Sequence, residues 1–187
     1  MTRWEVFKQD AEDKPHQAVG SVHAADARHA LVTAAHVFAR RPSAYSLWVA
    51  RAADIYSRTA EQLAEEREPS LAAEPAPATG AAGVAASEDA PLATFHVFLK
   101  SSHRRSMTFV EHVSTVEAAT PAAALALASA ATAEGSQALA WWVVRTSAIT
   151  ASAPSDAASW FEPAKDKTYK QQSQYGIAPT RTSRRGS

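Results

Sequence analysis

The residues of this chain that could carry chemistry are, first, its seven histidines. His29 and His36 stand seven positions apart and could share one face of a helix, and Asp26 precedes His29 by three positions, which suits two ligands of one metal ion. No second pair of ligand residues stands near them in the sequence. The pattern therefore favours solvated histidines on a helix surface over a metal site.

Other kinds of catalytic or cofactor site lack their required residues. A carboxylate-bridged di-iron centre needs Glu-x-x-His on each of two helices, and no glutamate of this chain has a histidine three positions later. The absence of cysteine excludes disulfides, iron–sulfur clusters and thiol nucleophiles. Gly20-Ser21 and Gly135-Ser136 do not extend to G-x-S-x-G, and Gly80 and Gly83 do not stand at a strand-to-helix turn. We therefore predict no catalytic residue, no metal and no cofactor in this chain.

The charge balance bears on the class of partner. Lysine plus arginine and aspartate plus glutamate number 19 each, so the formal net charge is zero and no overall field draws the chain to nucleic acid or to an anionic membrane. No segment approaches the roughly 20 apolar residues of a membrane helix, and the N-terminus lacks the pattern of a secretory signal. We expect a cytoplasmic protein whose partners are neither nucleic acids nor membranes.

Two stretches of the chain resemble each other. Leu47–Arg51 matches Trp141–Arg145, and the alignment runs without a gap from His23 to Ile55. Trp4–Phe7 matches the segment 95–98 with an offset three residues smaller, which places an insertion or deletion in a hairpin loop. The repeat predicts two copies of one small unit.

The first copy has the pattern strand, strand, helix, strand. Trp4–Phe7 and Val19–Ala24 form a predicted hairpin, in which Gly20 marks a bulge or a close approach. Asp26 is the N-cap of a helix with an apolar stripe, and Tyr45–Arg51 is the third strand.

The second copy keeps this pattern with other residues. Thr120 caps its helix, Pro121 takes the first helical position, Gly135 follows the last turn, and Ala140–Arg145 is its third strand. One helix on three strands is a marginal core for about sixty residues. We therefore predict an α+β fold of two ββαβ units, each a small antiparallel sheet with one covering helix, paired as a fused pseudo-dimer.

Composition sets the predicted boundaries. The first copy covers residues 1–67 and the second 94–153, and the Ala- and Pro-rich segment 68–93 is a predicted flexible linker that can span roughly 25 to 30 Å. Residues 154–179 form a predicted extended C-terminal arm, and 180–187 a predicted disordered tail.

Candidate interface residues come from two places. Two arginines match between the copies, each just after a third strand, where a structural salt bridge is the equally plausible alternative. Four further residues are anchors of the arm on a partner subunit, the alternative being a tail that packs back on its own domain. The candidates are Arg51, Arg145, Trp160, Phe161, Pro163 and Tyr169.

Several segments carry a likeness to a known family. Val19–Asp26 (VGSVHAAD), Ser46–Val49 (SLWV) and Phe161–Lys170 (FEPAKDKTYK) resemble the B subunits of phenylacetyl-CoA 1,2-epoxidase, the phenylacetic acid degradation B (PaaB) family. The chain departs from the family in carrying two copies, in His36 where an arginine is expected, and in Gln171 where a proline is expected. Which acyl-CoA the complex uses stays open.

The resemblance implies a non-catalytic subunit of a multicomponent oxygenase in aerobic phenylacetate degradation. In such a complex a di-iron subunit binds the CoA thioester and activates oxygen, a related helical subunit supports it, and a reductase with FAD and an iron–sulfur cluster delivers electrons from NADPH. The family's members bridge the catalytic and the helical subunit, which are the expected partners, with the reductase as a third candidate.

Two other functions stay open from the residues alone. Tandem α+β units of ferredoxin-like type can enclose a pocket, which would make the chain a stand-alone ligand-binding protein or small enzyme. Lysines and arginines of the tail could instead grip the phosphates of an acyl-CoA. Co-purification with a di-iron protein would distinguish the bridging subunit from these two alternatives.

Overall fold

The structure is a computed structural model that describes residues 1–39, 44–67, 91–102, 110–131 and 138–162. Most of the predicted linker lies outside these residues, as do Pro163 and Tyr169. We call 1–67 the first half of the chain and 91–162 the second half.

Eight strands and four helices follow one another in the described residues. The first half contains β1 (Thr2–Gln9), β2 (Gln17–Ala24), α1 (Ala27–Phe38), β3 (Ser46–Arg51), β4 (Ile55–Thr59) and α2 (Ala60–Arg67). The second half contains β5 (Ala93–Lys100), β6 (Val110–Ala118), α3 (Pro121–Ala131), β7 (Ala140–Arg145), β8 (Ile149–Ala151) and α4 (Ala157–Trp160). A single 3-10 turn separates β3 from β4, and another separates β7 from β8. The order strand, strand, helix, strand, strand thus occurs in each half.

The helices begin where their capping residues predict. The Asp26 carboxylate accepts a hydrogen bond from the amide of His29 at 2.8 Å, and Thr120 Oγ1 accepts one from the amide of Ala123 at 3.1 Å. Pro121 occupies the first position of α3. Both predicted N-caps and both predicted helices are confirmed.

Gly20 lies at a bulge in the first hairpin. The register of β1 and β2 shifts between Val6 and Phe7, and Gly20 has a φ of 143°, which L side chains rarely adopt. A Cβ atom at this position would stand 2.9 Å from Cζ of Phe38. Both interpretations of Gly20, as a bulge and as a close approach, are therefore correct.

All eight strands form one sheet, and every strand pairing in it is antiparallel. Their order is β4-β7-β5-β6-β2-β1-β3-β8. The last strand of each half pairs with the third strand of the other half: β4 with β7, and β8 with β3. Neither of these two strands is predicted by the sequence pattern. Between the hairpins, β2 and β6 meet only at Gln17 and Glu111, and we call this joint the seam.

Helices α1 and α3 each cover their own half of the sheet, and each core is completed by residues from the other half. The cluster below α1 includes Phe161, which follows α4, and Trp160 packs against it. The cluster below α3 receives Tyr56 and Leu63 from β4 and α2 of the first half. The two halves therefore exchange their C-terminal elements.

A third apolar cluster lies on the face of the sheet opposite the helices. The rings of Phe7 in β1 and Phe98 in β5 stack there with centroids 4.3 Å apart, and both side chains are fully buried. In a flat sheet these strands would be three strand spacings, about 14 Å, apart. The sheet must therefore bend between β5 and β1 so that its two halves face each other.

The α+β class with an antiparallel sheet is confirmed, but the predicted extended arm is wrong for residues 154–162. This segment is a 3-10 turn, Pro154–Asp156, followed by α4. Phe161 is 2% exposed because its ring completes the core below α1, so the tail packs back on its own chain. No helix among the described residues has the length and apolar character to cross a bilayer.

Candidate functional site at the junction of the two halves

A cluster of three histidines whose pKa values are lowered by burial lies beside the seam. His16 directly precedes β2, His96 lies in β5, and His112 lies in β6. All three rings surround Trp48 of β3. We call these four residues the histidine cluster, which combines both halves of the chain.

Trp48 forms the apolar centre of the cluster. The imidazole of His16 stacks on it with centroids 3.5 Å apart and planes 16° from parallel. The rings of His96 and His112 stand 4.9 and 5.9 Å from it. On its other side, His16 shares a hydrogen bond of 3.1 Å with the hydroxyl of Ser46, so its ring is fixed by both neighbours.

His96 and His112 contact each other through ring nitrogens. His96 Nδ1 is 3.1 Å from His112 Nε2, and Thr115 Oγ1 lies 3.2 and 3.3 Å from the same two atoms. A nitrogen–nitrogen hydrogen bond requires that one ring donates while the other offers a lone pair. The pair is therefore satisfied only while at least one ring is neutral.

Burial sets the protonation state of the three rings. It lowers the pKa of His16 to about 4, helped by the nearby His112 and His96, and it lowers the pKa of His112 to about 4, helped by His96. Burial also lowers the pKa of His96. All three rings are therefore neutral at pH 7, which is the state that the hydrogen bond between His96 and His112 needs.

The matching position of the first half carries an acid instead. Glu5 stands in β1 where His96 stands in β5, and it is 4% exposed. Arg3 forms an ion pair with it at 2.8 Å, while its Oε2 atom is buried without a hydrogen-bond partner among the described residues. Burial raises the pKa of Glu5, and Arg3 opposes that rise. At this position the first half thus carries a carboxyl group, whereas the second half carries an imidazole.

The chemistry that this arrangement can perform is proton binding and hydrogen bonding. Among the described ranges, no group of three or more histidine, cysteine, aspartate or glutamate residues could hold a metal ion. His29 and His36, the histidines considered from spacing, are exposed on α1.

Arg51 and Arg145, the paired candidates from the sequence, keep one geometry in both halves. Each stands opposite the first-strand aromatic of its own half and lies over that ring, Arg51 over Trp4 at 5.7 Å and Arg145 over Phe95 at 5.5 Å. Arg51 also forms a long ion pair with Asp54 at 3.7 Å. Both arginines are exposed. The shared contact is therefore a cation–π interaction rather than a salt bridge.

The candidates from the tail differ in position. The Phe161 side chain contributes to the core of the first half, and Trp160 is half-buried beside it. Pro163 and Tyr169 lie outside the described residues. Of the four candidates within the described residues, Arg51, Trp160 and Phe161 contact the first half, whereas Arg145 contacts Phe95 of the second half.

Sequence reasoning missed the histidine cluster because its members have no common spacing. His16 stands in a polar loop next to Pro15, and His96 and His112 belong to strands of the other half. The available signal was the difference between the two halves, since the sequence alignment places His96 against Glu5 and His112 against Ala18. Polar residues present in one half only were the ones brought together.

Similarity to known proteins extends over both halves. The family model described as phenylacetic acid degradation B (PaaB) matches residues 1–73 and 92–182. The chain belongs to this family. The internal segment that the PaaB match leaves out, 74–91, falls within the predicted linker. A relative from Escherichia coli (strain K12), the B subunit of 1,2-phenylacetyl-CoA epoxidase, is 38% identical over 66 residues, which is 35% of this chain and 70% of the relative. No solved structure matches the chain.

Proposed function

We propose that this PaaB chain is a non-catalytic subunit of a multicomponent di-iron oxygenase that acts on phenylacetyl-CoA, and that it bridges the catalytic subunit and the helical structural subunit. Membership of the family and the name of the E. coli relative support the assignment to such a complex. The reductase is a further candidate partner. Iron, FAD, the iron–sulfur cluster and NADPH belong to the other subunits in this proposal.

A structural role is favoured by the tight packing of side chains on the face of the sheet opposite α1 and α3. Where an α+β protein with a ligand pocket would leave space between its two half-sheets, Phe7 and Phe98 stack on each other with full burial. Val110 and Val144 of the second half complete the same cluster. Close-packed aromatic rings suit a rigid scaffold for binding other proteins.

We further propose that residues 1–67 and 94–153 are diverged copies of one unit that act as a fused pseudo-dimer. The recurring element order, the matched Arg51 and Arg145, and the reciprocal exchange of β4 and β8 support this arrangement. One such chain would then replace two single-copy subunits in the complex.

Co-expression tests the assignment. The tagged chain should co-purify with the di-iron subunit and its helical partner, and leaving it out should lower phenylacetyl-CoA-dependent oxygen consumption at least tenfold. Full activity without the chain, or turnover of phenylacetyl-CoA by the chain alone, would contradict the proposal. Iron and flavin analysis of the isolated chain should find neither in stoichiometric amount, and either one in that amount would contradict the assignment of the cofactors.

The exposed arginines provide a sharper test of the interface. Arg51→Ala combined with Arg145→Ala should weaken capture of the partner subunits by about tenfold or more, as expected for arginines at a protein interface. Arg28→Ala on α1, also exposed, is the control for loss of positive charge. Unchanged capture by the double variant would remove both arginines from the proposed interface.

A further inference from the structure

The seam, which joins the hairpins of the two halves, is the shortest strand pairing of the sheet. Gln17 and Glu111 are its only paired residues, whereas β1–β2 and β5–β6 on either side pair along most of their length. The amide of His112 donates to the carbonyl of His16 at 2.8 Å, and the side chain of Gln17 donates to Glu111. The histidine cluster therefore lies directly on the shortest strand pairing of the sheet.

We propose that the histidine cluster is an acid-sensitive latch that keeps the seam closed at neutral pH and opens it when its imidazoles become protonated. Three features carry this proposal: the position of the cluster on the seam, its contribution from both halves, and the requirement of its central hydrogen bond for a neutral ring. The proposal concerns the chain by itself and stands whether or not the assignment to an oxygenase is correct.

In the closed state, the neutral rings satisfy one another. His16 is held between Trp48 and Ser46, while His96 and His112 share a hydrogen bond and the hydroxyl of Thr115. One added proton can be shared between His96 and His112. A second makes both ring nitrogens donors, so the hydrogen bond is lost and two positive charges face each other.

The surroundings offer little compensation for these charges. Among the described residues no carboxylate forms an ion pair with any of the three rings. Glu111 of β6 is the acid at the seam and already accepts a hydrogen bond from Gln17. Ser46 and Thr115 are neutral, and Lys100 at the end of β5 adds positive charge to that strand.

Among the described residues, Trp48 and the backbone of Ser114 could favour a protonated ring, the latter through a hydrogen bond that raises the pKa of His112. An imidazolium stacked on an indole gains a cation–π interaction, of about 0.5 to 2 kcal/mol. Burial and the two other histidines act in the opposite direction on His16, and they dominate, because the pKa of His16 falls to about 4. The stack is therefore a contact of the neutral ring.

The direction of the pH response follows from proton linkage. The ordinary pKa of histidine, 6.5, falls to about 4 for His16 and His112 in the folded chain. Between these two values the unfolded chain binds more protons than the folded chain, so folding is destabilised as pH falls from 6.5 to about 4, and the full stability is present above 6.5. Glu5, with its raised pKa, acts in the opposite direction.

Matched triple variants test the latch by thermal unfolding. The wild-type chain should lose roughly 10 °C or more of melting temperature between pH 7.0 and pH 4.5. The variant His16→Gln, His96→Gln, His112→Gln should lose less than half as much. A control variant with His23→Gln, His29→Gln and His36→Gln, all exposed, should behave like the wild type. Equal losses in the cluster variant and the wild type would overturn the proposal.

Hydrogen exchange of the wild-type chain gives a second test that does not depend on a variant folding. The His112 amide reports on the seam through its bond to His16, and the Val49 amide reports on β3, away from it. Between pH 7 and pH 5, the protection factor of His112 should fall at least tenfold more than that of Val49. An equal change at both amides would mean that acid loosens the sheet uniformly, and the latch would be rejected.

Discussion

Trp48 and Trp142 stand at matching positions of β3 and β7 but have different neighbours. Trp48 packs against three histidines, whereas Trp142 meets the ring of Phe7 edge-on at 6.3 Å. The stacked pair of Phe7 and Phe98, in contrast, consists of two residues at matching positions of the two halves. On the face of the sheet opposite α1 and α3, both halves thus contribute matching apolar residues. The polar residues beside the seam, in contrast, differ between the two halves.

Gly20 should not tolerate even the smallest side chain without a loss of stability. Gly20→Ala should lower the free energy of unfolding by about 1 to 3 kcal/mol, because a Cβ atom would meet Phe38 at 2.9 Å and the φ of 143° disfavours an L side chain. Urea unfolding measures the change. Ser21→Ala, at the exposed neighbouring position of β2, is the control and should change stability by less than about 0.5 kcal/mol. Equal effects of the two substitutions would contradict this account of the bulge.

At the scale of elements, the sequence predicted what depends on neighbours along the chain. The caps Asp26 and Thr120 and the bulge at Gly20 are local features, and all three were located correctly. Strands β4 and β8 were missed, since they have only five and three residues and pair with the opposite half. Their partners are set by the tertiary fold.

The same dependence on tertiary structure explains why the candidate site was not found. His16, His96 and His112 reach Trp48 from different parts of the chain, and it is the bend of the sheet between β5 and β1 that brings these side chains together. Periodicity contains no information on such a bend. The prediction for the tail was wrong for a related reason. In the sequence Phe161 resembles an exposed aromatic anchor residue, whereas its ring packs into the core of the first half below α1.

Phe161 also tests the docking of α4 as an element. Phe161→Ala should destabilise the isolated chain by about 3 to 5 kcal/mol, since the ring is 2% exposed in the core below α1. Glu162→Ala, at the exposed next position, should have almost no effect. Thermal unfolding and partner capture are measured on both variants. A normal melting temperature with weakened capture would instead support the arm on a partner subunit.

At the scale of the whole molecule, the exchange of C-terminal elements links the two halves more strongly than the seam does. Five residues of β4 pair with β7, and three residues of β8 pair with β3. Phe161 enters the core of the first half, and Leu63 packs against the core of the second half. Neither half is therefore complete without the other, and we expect one cooperative unfolding transition for the chain.

This mutual dependence predicts that the halves stay together when the chain is cut. A protease site placed within Thr79–Ala86, which lies outside the described residues, should yield two fragments that co-elute in size exclusion at micromolar concentration. The expectation rests on the paired strands and on the buried stack of Phe7 and Phe98, which does not require a continuous chain. Phe7→Ala combined with Phe98→Ala should weaken the association of the cut fragments at least tenfold, while Leu127→Ala, on the exposed side of α3, should not. Fragments of the wild-type sequence that separate at this concentration would contradict the fused pseudo-dimer, because a covalent linker would then be what holds the halves in contact.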